Sequence, residues 1–356
     1  MERGEKTEII LEHLQQGIHS GKWADTILPK EMELAEQFGV ARGTVRKAFD
    51  HLVAAGIVER KKHTGTTLCK KDTANKYICS VLRSSGHFYG KIFQALQKKT
   101  LEAGYCLQYV DVYGYEKPQL RKPIQRGINS LLAIPGAENV IMDGYSFNFS
   151  PLFEKLLKKK PVFFDYFSDI KRPDDATGVL IDYYKIGRLG ATYLLKCGCK
   201  HPLLILGSGP AVKDRFTPEC FACHKVKLIM DGYSDVLREN GMDPMLYIFH
   251  AAIKKKFLFE QLYEIFSYPP SRPDGIFLDE DSSLLKVLKI AGECGYIPEH
   301  KLGCYNTPWS HGEGGFSFPS ISISPDECAE QLLKQVLTPK DLRQDVYVAP
   351  YLNNNQ

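Results

Sequence analysis

The first residues of this sequence with a clear chemical use are three cations that follow a glycine turn. Arg42, Arg46 and Lys47 come after Gly39 in the stretch ELAEQFGVARGTVRKAFDHL. Arg42 and Arg46 are about one helical turn apart, so a helix would place both guanidinium groups on one face. A guanidinium group donates paired hydrogen bonds to a phosphate or to the edge of a guanine base. The spacing therefore predicts a surface that binds a polyanion.

Positive charge is concentrated around these cations. The whole chain has a formal net charge of +4, whereas residues 41–71 alone contain eight basic and two acidic residues, a local charge of +6. A charged face on a lone helix is usually just solvated. Here the charge excess, the tight turn and a basic hairpin coincide, which favours a surface for nucleic acid.

The surrounding pattern predicts the elements that position the cations. Apolar residues at helical spacing predict a helix over 7–19, a second after Pro29 that ends at Gly39, and a third over Arg42–Ala54. The apolar face of the third helix consists of Val45, Ala48, Phe49 and Leu52. Residues 57–68 predict two short strands around a turn. This order of elements is typical of a winged helix-turn-helix, whose second paired helix enters the major groove.

The stretch LPKEMELAEQFGVARGTVRKAFDHLVAAGIVERKKHTGT resembles the N-terminal domain of GntR-family transcriptional regulators, over roughly residues 5–70. The resemblance implies that Arg42, Thr44 and Arg46 contact DNA and that the wing tip 63–66 assists. The helix pattern and the resemblance together give ten predicted DNA-binding residues. They are Lys30, Arg42, Gly43, Thr44, Arg46, Lys47, His63, Thr64, Gly65 and Thr66.

Three positions depart from the usual pattern of that family. Ala41 stands where the family has Ser or Thr, so the third helix lacks a side-chain N-cap that typically contributes about 1 kcal/mol. Met32 replaces a common arginine, and we expect Lys30 to supply its phosphate contact. His63 replaces the first glycine of the wing. We therefore expect an operator that differs from the family's usual one.

The composition changes after residue 70. Residues 71–76 are polar and have no periodicity, which is typical of a linker. From residue 77 to 356, predicted strands and helices alternate, which favours parallel sheets covered by helices. This segment is long for one open sheet, so we expect two α/β lobes. The domains predicted are 1–70, with the winged helix-turn-helix, and 77–356, for ligand binding and dimerisation.

Aromatic and acidic residues gather just past the carboxyl ends of the predicted strands, where open α/β sheets bind ligands. Carboxylates accept hydrogen bonds from hydroxyl groups, and aromatic faces pack against the C–H side of a sugar ring. Any one of these residues could equally be an ordinary loop or helix-capping residue. The occurrence of so many at strand ends favours a ligand site. The candidates are His87, Phe88, Tyr89, Asp143, Tyr145, Asp165, Tyr166, His250, Asp281, Asn306 and Trp309.

Four segments resemble the sensor domain of LacI/GalR-type repressors, which is similar to type I periplasmic sugar-binding proteins. They are VLIDYYKIGRLGATYLLKCGCKHPLLILG (179–207), DGYSDVLRENGMDP (231–244), RPDGIFLDEDSSLLKVLKIAGECGYIPEHKLGCYN (272–306) and SISISPDECAEQLLKQVL (320–337). The resemblance implies two α/β lobes joined by three crossing strands, a ligand in the cleft, and a homodimer. A GntR-type winged helix joined to such a sensor is similar to the arabinose-repressor subgroup.

The resemblance also implies roles for individual residues. It places the segment 87–89 in a loop that faces the cleft, and it matches Asp165 and Asp281 with acids that hold ligand hydroxyls. Asn306 matches a polar residue at the end of a late strand. We therefore expect a sugar-like effector, with a monosaccharide as the leading candidate.

One departure concerns the anchoring of the ligand. The family often has an arginine at the position of Ile229, and Lys227 is the nearest cation, so we include Lys227 among the predicted ligand-binding residues. The preceding loop, 209–225, is longer than usual. A non-sugar ligand is therefore an alternative.

The ten cysteines suggest free thiols in a reducing compartment. The segment CFACH fits a haem-attachment pattern, but that chemistry needs export, and we expect a cytoplasmic protein because no export signal or long apolar run is present. No cofactor is predicted. A metal site remains open for one cluster: Cys197, Cys199, Cys220, Cys223 and His224.

These patterns favour a ligand-responsive regulator, a repressor of carbohydrate-utilisation genes that is released from operator DNA by its effector. The partners predicted are double-stranded DNA, a small molecule and a second copy of the chain, with no membrane. One alternative is a DNA-binding module fused to an enzyme domain such as an aminotransferase, which a bound pyridoxal spectrum would reveal. A transport receptor is a weaker alternative, because it needs export and no winged helix.

Overall fold

A computed structural model of the chain describes residues 3–19, 22–23, 27–54, 57–61, 65–68, 77–114, 117–134, 138–144, 153–165, 176–206, 221–250 and 255–353. The chain divides into two compact units, Met1–Lys76 and Tyr77–Gln356. No helix among the described residues is long and apolar enough to cross a membrane.

The first unit contains three helices and a two-stranded antiparallel sheet. Its elements are α1 (Arg3–His19), α2 (Glu31–Phe38), α3 (Arg42–Ala54), β1 (Val58–Lys61) and β2 (Gly65–Leu68). The predicted apolar face of α3 is confirmed, because all four of its residues are buried against Ile10 and Leu14 of α1 and Leu34 of α2. Gly39 adopts the left-handed conformation predicted for it, with φ of 58°, and ends α2.

The second unit alternates strands and helices. Its strands are β3 (Tyr77–Leu82), β4 (Cys106–Asp111), β5 (Val140–Asp143), β6 (Val162–Phe164), β7 (Thr177–Ile181), β8 (Pro202–Leu206), β9 (Ile248–His250), β10 (Gly275–Leu278), β11 (His300–Cys304), β12 (Ser320–Ser322), β13 (Val346–Val348) and β14 (Tyr351–Asn353). Its helices are α4 (His87–Glu102), α5 (Pro118–Leu132), α6 (Glu154–Leu157), α7 (Tyr183–Lys196), α8 (Phe221–Glu239), α9 (Lys255–Ser267), α10 (Asp281–Glu293) and α11 (Pro325–Leu337).

The strands form two six-stranded sheets with the same order. The first lobe has the order β13–β7–β6–β5–β3–β4, and the second has β14–β12–β11–β10–β8–β9. All pairs are parallel except that of β12 with β14. Each strand of the first lobe thus has a counterpart in the second, with β5 matching β10 and β6 matching β11.

The chain passes between the lobes three times, which confirms the two-lobed fold implied by the resemblance. It leaves the first lobe after β7 through α7, returns after β12 through α11, and crosses again between β13 and β14. The carboxyl ends of the parallel strands in each lobe form the edge at which open α/β sheets bind ligands.

Helices α7 and α8 of the second lobe touch at two glycines. A Cβ atom at Gly187 would lie 1.9 Å from the carbonyl oxygen of Ile229, and one at Gly232 would lie 2.0 Å from that of Tyr184. Glycine at both positions therefore lets the two backbones approach to contact distance. This packing fixes α8, which carries Lys225 to the side of Asp279, just past the end of β10.

One segment differs from the expectation. Helix α4 begins at His87, so the segment 87–89, expected to be a cleft-facing loop, is the first turn of a helix. Gly86, with φ of 86°, turns the chain into that helix. Strand β9 begins at Ile248 because residues 244–246 form a 3₁₀ turn that Asp243 caps.

Candidate functional site

Helix α3 presents the predicted cations to solvent. The side chains of Arg42 and Arg46 are 60% and 55% exposed, and Gly43 and Lys47 are exposed as well. Thr44 is different, since only 8% of it is exposed. The contact with DNA that the resemblance implies for Thr44 can therefore involve no more than the edge of its side chain.

A single carboxylate gathers three arginines on this surface. Glu31, in the first turn of α2, accepts hydrogen bonds from Arg42 Nε at 2.9 Å, Arg46 Nε at 3.2 Å and Arg60 Nη2 at 3.5 Å. Arg60, on β1, also donates to Asp50 at 2.7 Å. Burial opposes ionisation of Glu31, but the hydrogen bonds from Arg46 and Arg42 outweigh it and lower its pKa. The arginines are thereby held in fixed directions, and two of the residues involved, Glu31 and Arg60, were not predicted as site residues.

The remaining predicted DNA-binding residues lie beside this surface or outside the described residues. Lys30 is exposed just before α2, and its backbone N–H donates to Glu33 Oε2 at 3.0 Å. Gly65 begins β2 with φ of 104°, opposite Lys61. Thr66 follows it in β2, whereas His63 and Thr64 lie outside the described residues.

In the first lobe of the second unit, Asp143 is held by a cation that sequence reasoning missed. Asp143, at the end of β5, is fully buried, and its carboxylate accepts hydrogen bonds from Arg83 Nε at 2.5 Å and Nη2 at 3.3 Å. The Arg83 guanidinium lies 3.6 Å from the ring centroid of Tyr89. The pKa of Arg83 is raised because the nearby anionic groups outweigh its burial. Arg83, Tyr89 and Asp143 thus form one packed group.

Asp165 continues this group toward the second lobe. It follows β6, is 1% exposed, and accepts hydrogen bonds from the hydroxyl groups of Tyr89 at 2.8 Å and Tyr183 at 3.0 Å. Its φ of 54° is in the left-handed region, which a non-glycine residue adopts at a cost. Burial raises the pKa of Asp165 to about 6, although the tyrosine hydrogen bonds and Arg83 oppose the shift.

The second lobe contributes its own buried ion pair. Lys225 Nζ, on α8, lies 3.1 Å from Asp279 Oδ2 and 4.0 Å from Glu280 Oε1, and the lysine side chain is 12% exposed. Its ammonium group is 5.0 Å from the ring centroid of Tyr305 and 5.9 Å from that of Tyr183. Burial favours the neutral lysine, but Tyr305 and the two carboxylates outweigh it and raise the pKa of Lys225.

Asp281 is engaged within the protein. It begins α10, is 1% exposed, and accepts hydrogen bonds from the backbone N–H and hydroxyl of Thr307, at 2.7 and 2.9 Å, and from the Ser320 hydroxyl at 2.8 Å. These bonds favour its ionised form, yet burial still raises its pKa. The carboxylate thus fastens the start of the loop carrying Trp309, and its expected contact with a ligand hydroxyl stays a prediction.

Aromatic contacts between α4 of the first lobe and residues after β11 of the second join the two lobes. Phe88 of α4 lies 4.8 Å from Tyr305, and His87 meets Trp309 edge-to-face at 4.9 Å, both measured between ring centroids. Asn306 has φ of 47°, and its Oδ1 lies 2.9 Å from His311 Nε2. Three predicted candidates cannot be placed, because Tyr145, Tyr166 and the side chain of His250 lie outside the described residues.

Lys227, the cation predicted to bind the ligand, is exposed and pairs with Asp231 at 2.8 Å, one turn away on α8. Its contact with a ligand stays a prediction. Lys225, two residues earlier, takes the buried position instead. Ile229, where the resemblance led us to look for an arginine, is fully buried in the apolar core.

Sequence signals for the missed residues were present but weak. Arg83 directly follows a predicted strand, and Tyr183 opens a predicted helix, so both stand at the edge that binds ligands. Only the fold shows that Tyr183, Lys225 and Tyr305 converge. As for metals, no group of three or more His, Cys, Asp or Glu side chains among the described residues is arranged to hold an ion. Cys220 and the side chain of Cys223 lie outside the described residues.

Comparison with known proteins agrees with the architecture of both units. Residues 6–68 match the family model described as bacterial regulatory proteins, gntR family. In this region the chain is 45% identical over 62 residues to the HTH-type transcriptional repressor NagR of Bacillus subtilis (strain 168), covering 17% of this chain and 26% of NagR. The first unit is therefore a GntR-type helix-turn-helix domain. The chain spans only about a quarter of the length of such curated relatives.

The likeness over the second unit is to solved structures. The transcriptional regulator CelR–cellobiose complex matches with a TM-score of 0.56 and 16% identity, over 92% of this chain and 98% of that chain. A regulatory protein of LacI family from Chloroflexus aggregans matches with a TM-score of 0.59 and 14% identity, over 78% and 96%. The second unit therefore has the fold of LacI-type regulators.

Proposed function

We propose that this protein is a transcriptional repressor of carbohydrate-utilisation genes that a small sugar-like effector releases from its operator. The observation that carries the proposal is the exposed Arg42 and Arg46 pair on α3 of a GntR-type domain, joined to a two-lobed LacI-type fold. The name of NagR supports the assignment as a repressor, and the cellobiose in the CelR complex supports a sugar-like effector.

The DNA-binding step uses the arginines that Glu31 holds. Arg42 and Arg46 approach base edges from the start of α3, while Lys47, Lys30 and the wing contact phosphates. Arg60 adds a third guanidinium to the same surface, 3.5 Å from Glu31. Because a guanidinium that is already oriented loses less entropy on binding, Glu31 improves the affinity of the arginines for DNA.

The sensing step uses the charged and aromatic residues where the two lobes meet. An effector that binds the closed arrangement more tightly than the open one shifts the protein toward it by that difference in affinity. In a homodimer with two-fold symmetry, such a shift changes the spacing of two recognition helices on a near-palindromic operator. This role requires no catalysis.

The test begins with DNA selected from a random duplex library by the full-length protein. Arg42→Ala and Arg46→Ala are then compared with wild type on the selected sequence. We expect each substitution to weaken binding by about 5- to 150-fold and to relax specificity at one or two base pairs. The matched control is Arg238→Ala, which removes one exposed arginine paired with Asp235 on α8 and should leave affinity unchanged.

Two outcomes would refute the proposal. Failure to enrich any sequence over repeated rounds would refute sequence-specific DNA binding. Equal affinity of wild type and both arginine variants would refute the role of α3. The oligomeric state follows from sedimentation at several concentrations, where a dimer is expected on the operator.

A further inference from the structure

Where the two lobes meet, the numbers of negatively and positively charged side chains that the structure describes are unequal. Arg83 is paired with Asp143, and Lys225 is paired with Asp279. Asp165 is buried among them, yet it receives hydrogen bonds only from tyrosine hydroxyl groups, and no cation of the described residues lies within ion-pair distance of its carboxylate. Among the residues that the structure describes, two buried carboxylates therefore lack a cation at ion-pair distance: Asp281, which Thr307 and Ser320 hold, and Asp165.

Holding the ionised Asp165 carboxylate in the folded protein has an energetic cost. A buried carboxylate that lacks a cation loses hydration that neutral donors replace only in part. Its left-handed backbone, with φ of 54°, adds to the cost. A positive charge on a ligand would offset the electrostatic part of it, and the carboxylate already stands at the carboxyl end of β6, where the fold binds ligands.

The aromatic residues of the site are also suited to a cation. Tyr89 already has the Arg83 guanidinium 3.6 Å from its ring centroid, and Tyr305 has the Lys225 ammonium at 5.0 Å. Tyrosine faces attract positive charge through the quadrupole of the ring. The rings of Tyr89 and Tyr305 thus stabilise the same sign of charge that the Asp165 carboxylate does.

We propose that the effector is a polyhydroxyl compound that carries a protonated amine, and that its ammonium group binds Asp165. The inference rests on the proposed function, because it assigns the ligand class of the same site. An anionic effector, such as a sugar phosphate or a sugar acid, is disfavoured. It would meet Asp143, Asp165 and Asp279, while Arg83 and Lys225, the cations near them among the described residues, are already paired.

The experiment compares ligands that differ in one substituent. Calorimetry of the full-length protein near neutral pH would use glucosamine, N-acetylglucosamine, glucose and glucose 6-phosphate, and the same four derivatives of galactose and mannose. In at least one series we expect the amine to bind about ten- to a hundredfold more tightly than the neutral sugar, the typical contribution of a charge-assisted hydrogen bond. The phosphate should bind most weakly.

Two variants tie that preference to Asp165. Asp165→Asn keeps the shape of the side chain and should bind the amine and its parent sugar equally well. Tyr183→Phe, which removes one hydroxyl donor and keeps the charge, should retain the preference for the amine, so it serves if Asp165→Asn does not fold. The matched control is Asp182→Asn, since Asn can replace Asp as the N-cap of α7, and the preference should be unchanged.

The outcomes separate this inference from the proposed function. If a neutral sugar or a sugar phosphate binds as tightly as the amine, the inference is wrong and the sugar-responsive function stands. If the amine preference survives in Asp165→Asn, the assignment of Asp165 is wrong. If no compound of the panel binds, both the amine and the sugar assignments fail, while the DNA selection still decides whether the protein is a regulator.

Discussion

The two lobes of the second unit share a strand order and differ in the side chains placed on it. Asp143 at the end of β5 and Asp279 just after β10 each bind a buried cation. The residue after β6 and the residue after β11 are both left-handed, with φ of 54° at Asp165 and 81° at Tyr305. The backbone N–H of each donates to the neighbouring strand, at Val179 and Ile321. The backbone repeats, but a carboxylate in one lobe corresponds to a phenol in the other.

The helices that cover the equivalent positions differ as well. In the second lobe α7 and α8 touch through Gly187 and Gly232, whereas their counterparts in the first lobe, α11 and α4, pack through side chains and a pair of Lys99 with Glu330 at 3.3 Å. A repeated backbone can therefore present an asymmetric set of charges at equivalent positions of the two lobes.

We expect the largest loss of stability when one of the buried, paired cations is removed. Arg83→Met and Lys225→Met each remove a cation that pairs with a buried carboxylate, which should lower the free energy of unfolding by about 3–5 kcal/mol. Urea denaturation followed by circular dichroism measures it. Arg188→Met is the control, because its pair with Glu239 is at the surface and contributes little. If one of the two variants is as stable as wild type, the two buried ion pairs do not contribute equally to the free energy of unfolding.

The second effect concerns the helix contacts. Gly232→Ala forces a methyl group to within 2.0 Å of the Tyr184 carbonyl oxygen, so we expect a loss of about 3 kcal/mol, the upper end for overpacking. Gly90→Ala is the matched change in α4, where the nearest atom would be 3.5 Å away. That variant should be as stable as wild type or more stable by about 0.5–1 kcal/mol. Equal losses at both glycines would contradict the difference between the helix pairs.

The third effect depends on pH and distinguishes Asp165 from Tyr305. The ordinary pKa of 3.8 rises to about 6 for Asp165 in the fold, so between those values the folded protein binds more protons than the unfolded chain. The free energy of unfolding should therefore fall as pH rises from about 4 to 6, by about 2–3 kcal/mol relative to Asp165→Asn. The groups around this carboxylate are Tyr89, Tyr183, Arg83 and Asp143.

Denaturation of wild type and Asp165→Asn at several pH values measures this difference. Tyr305→Phe is the control in the other lobe. Burial raises the pKa of Tyr305 above its ordinary value, so its removal should not change the pH dependence in this window. A difference between wild type and Asp165→Asn that is constant from pH 4 to pH 7 would contradict the raised pKa.

The order of the elements was predictable from the sequence because it depends on local patterns. Helical periodicity located α3 and its buried face, and strand–helix alternation indicated the parallel sheets. The exposed arginines followed from that periodicity. Their convergence on Glu31 did not, because the two helices meet only in the fold.

The candidate ligand site was predictable only in part, because some of its contacts also join residues that are distant in sequence. Strand ends pointed to Asp143 and Asp165, since position along a parallel strand fixes the edge at which a residue lies. The choice between Lys225 and Lys227 depends on which face of α8 is buried. The use of Asp281 as a loop anchor depends on Thr307 and Ser320, which are distant in sequence.

We expect the smallest loss of stability when one of the hydrogen bonds to Asp281 is removed. Thr307→Val removes one hydroxyl hydrogen bond, at 2.9 Å, while the bonds from the Thr307 backbone and from Ser320 remain. We expect a loss of about 1–2 kcal/mol, less than for a variant that removes a whole cation. Thr307→Ser keeps the hydroxyl group and should restore most of the stability. The same loop carries Trp309, which contacts His87 of the other lobe.

Tryptophan fluorescence reports the loop directly, since the chain has only two tryptophans, Trp23 and Trp309. In a Trp23→Phe background the emission comes from Trp309, and Thr307→Val should shift it toward that of a solvated indole. A loss of stability without a change in emission would mean that Asp281 stabilises the second lobe alone. A change in both would mean that the carboxylate, by fixing the loop, also holds the contact of Trp309 with His87 of the first lobe.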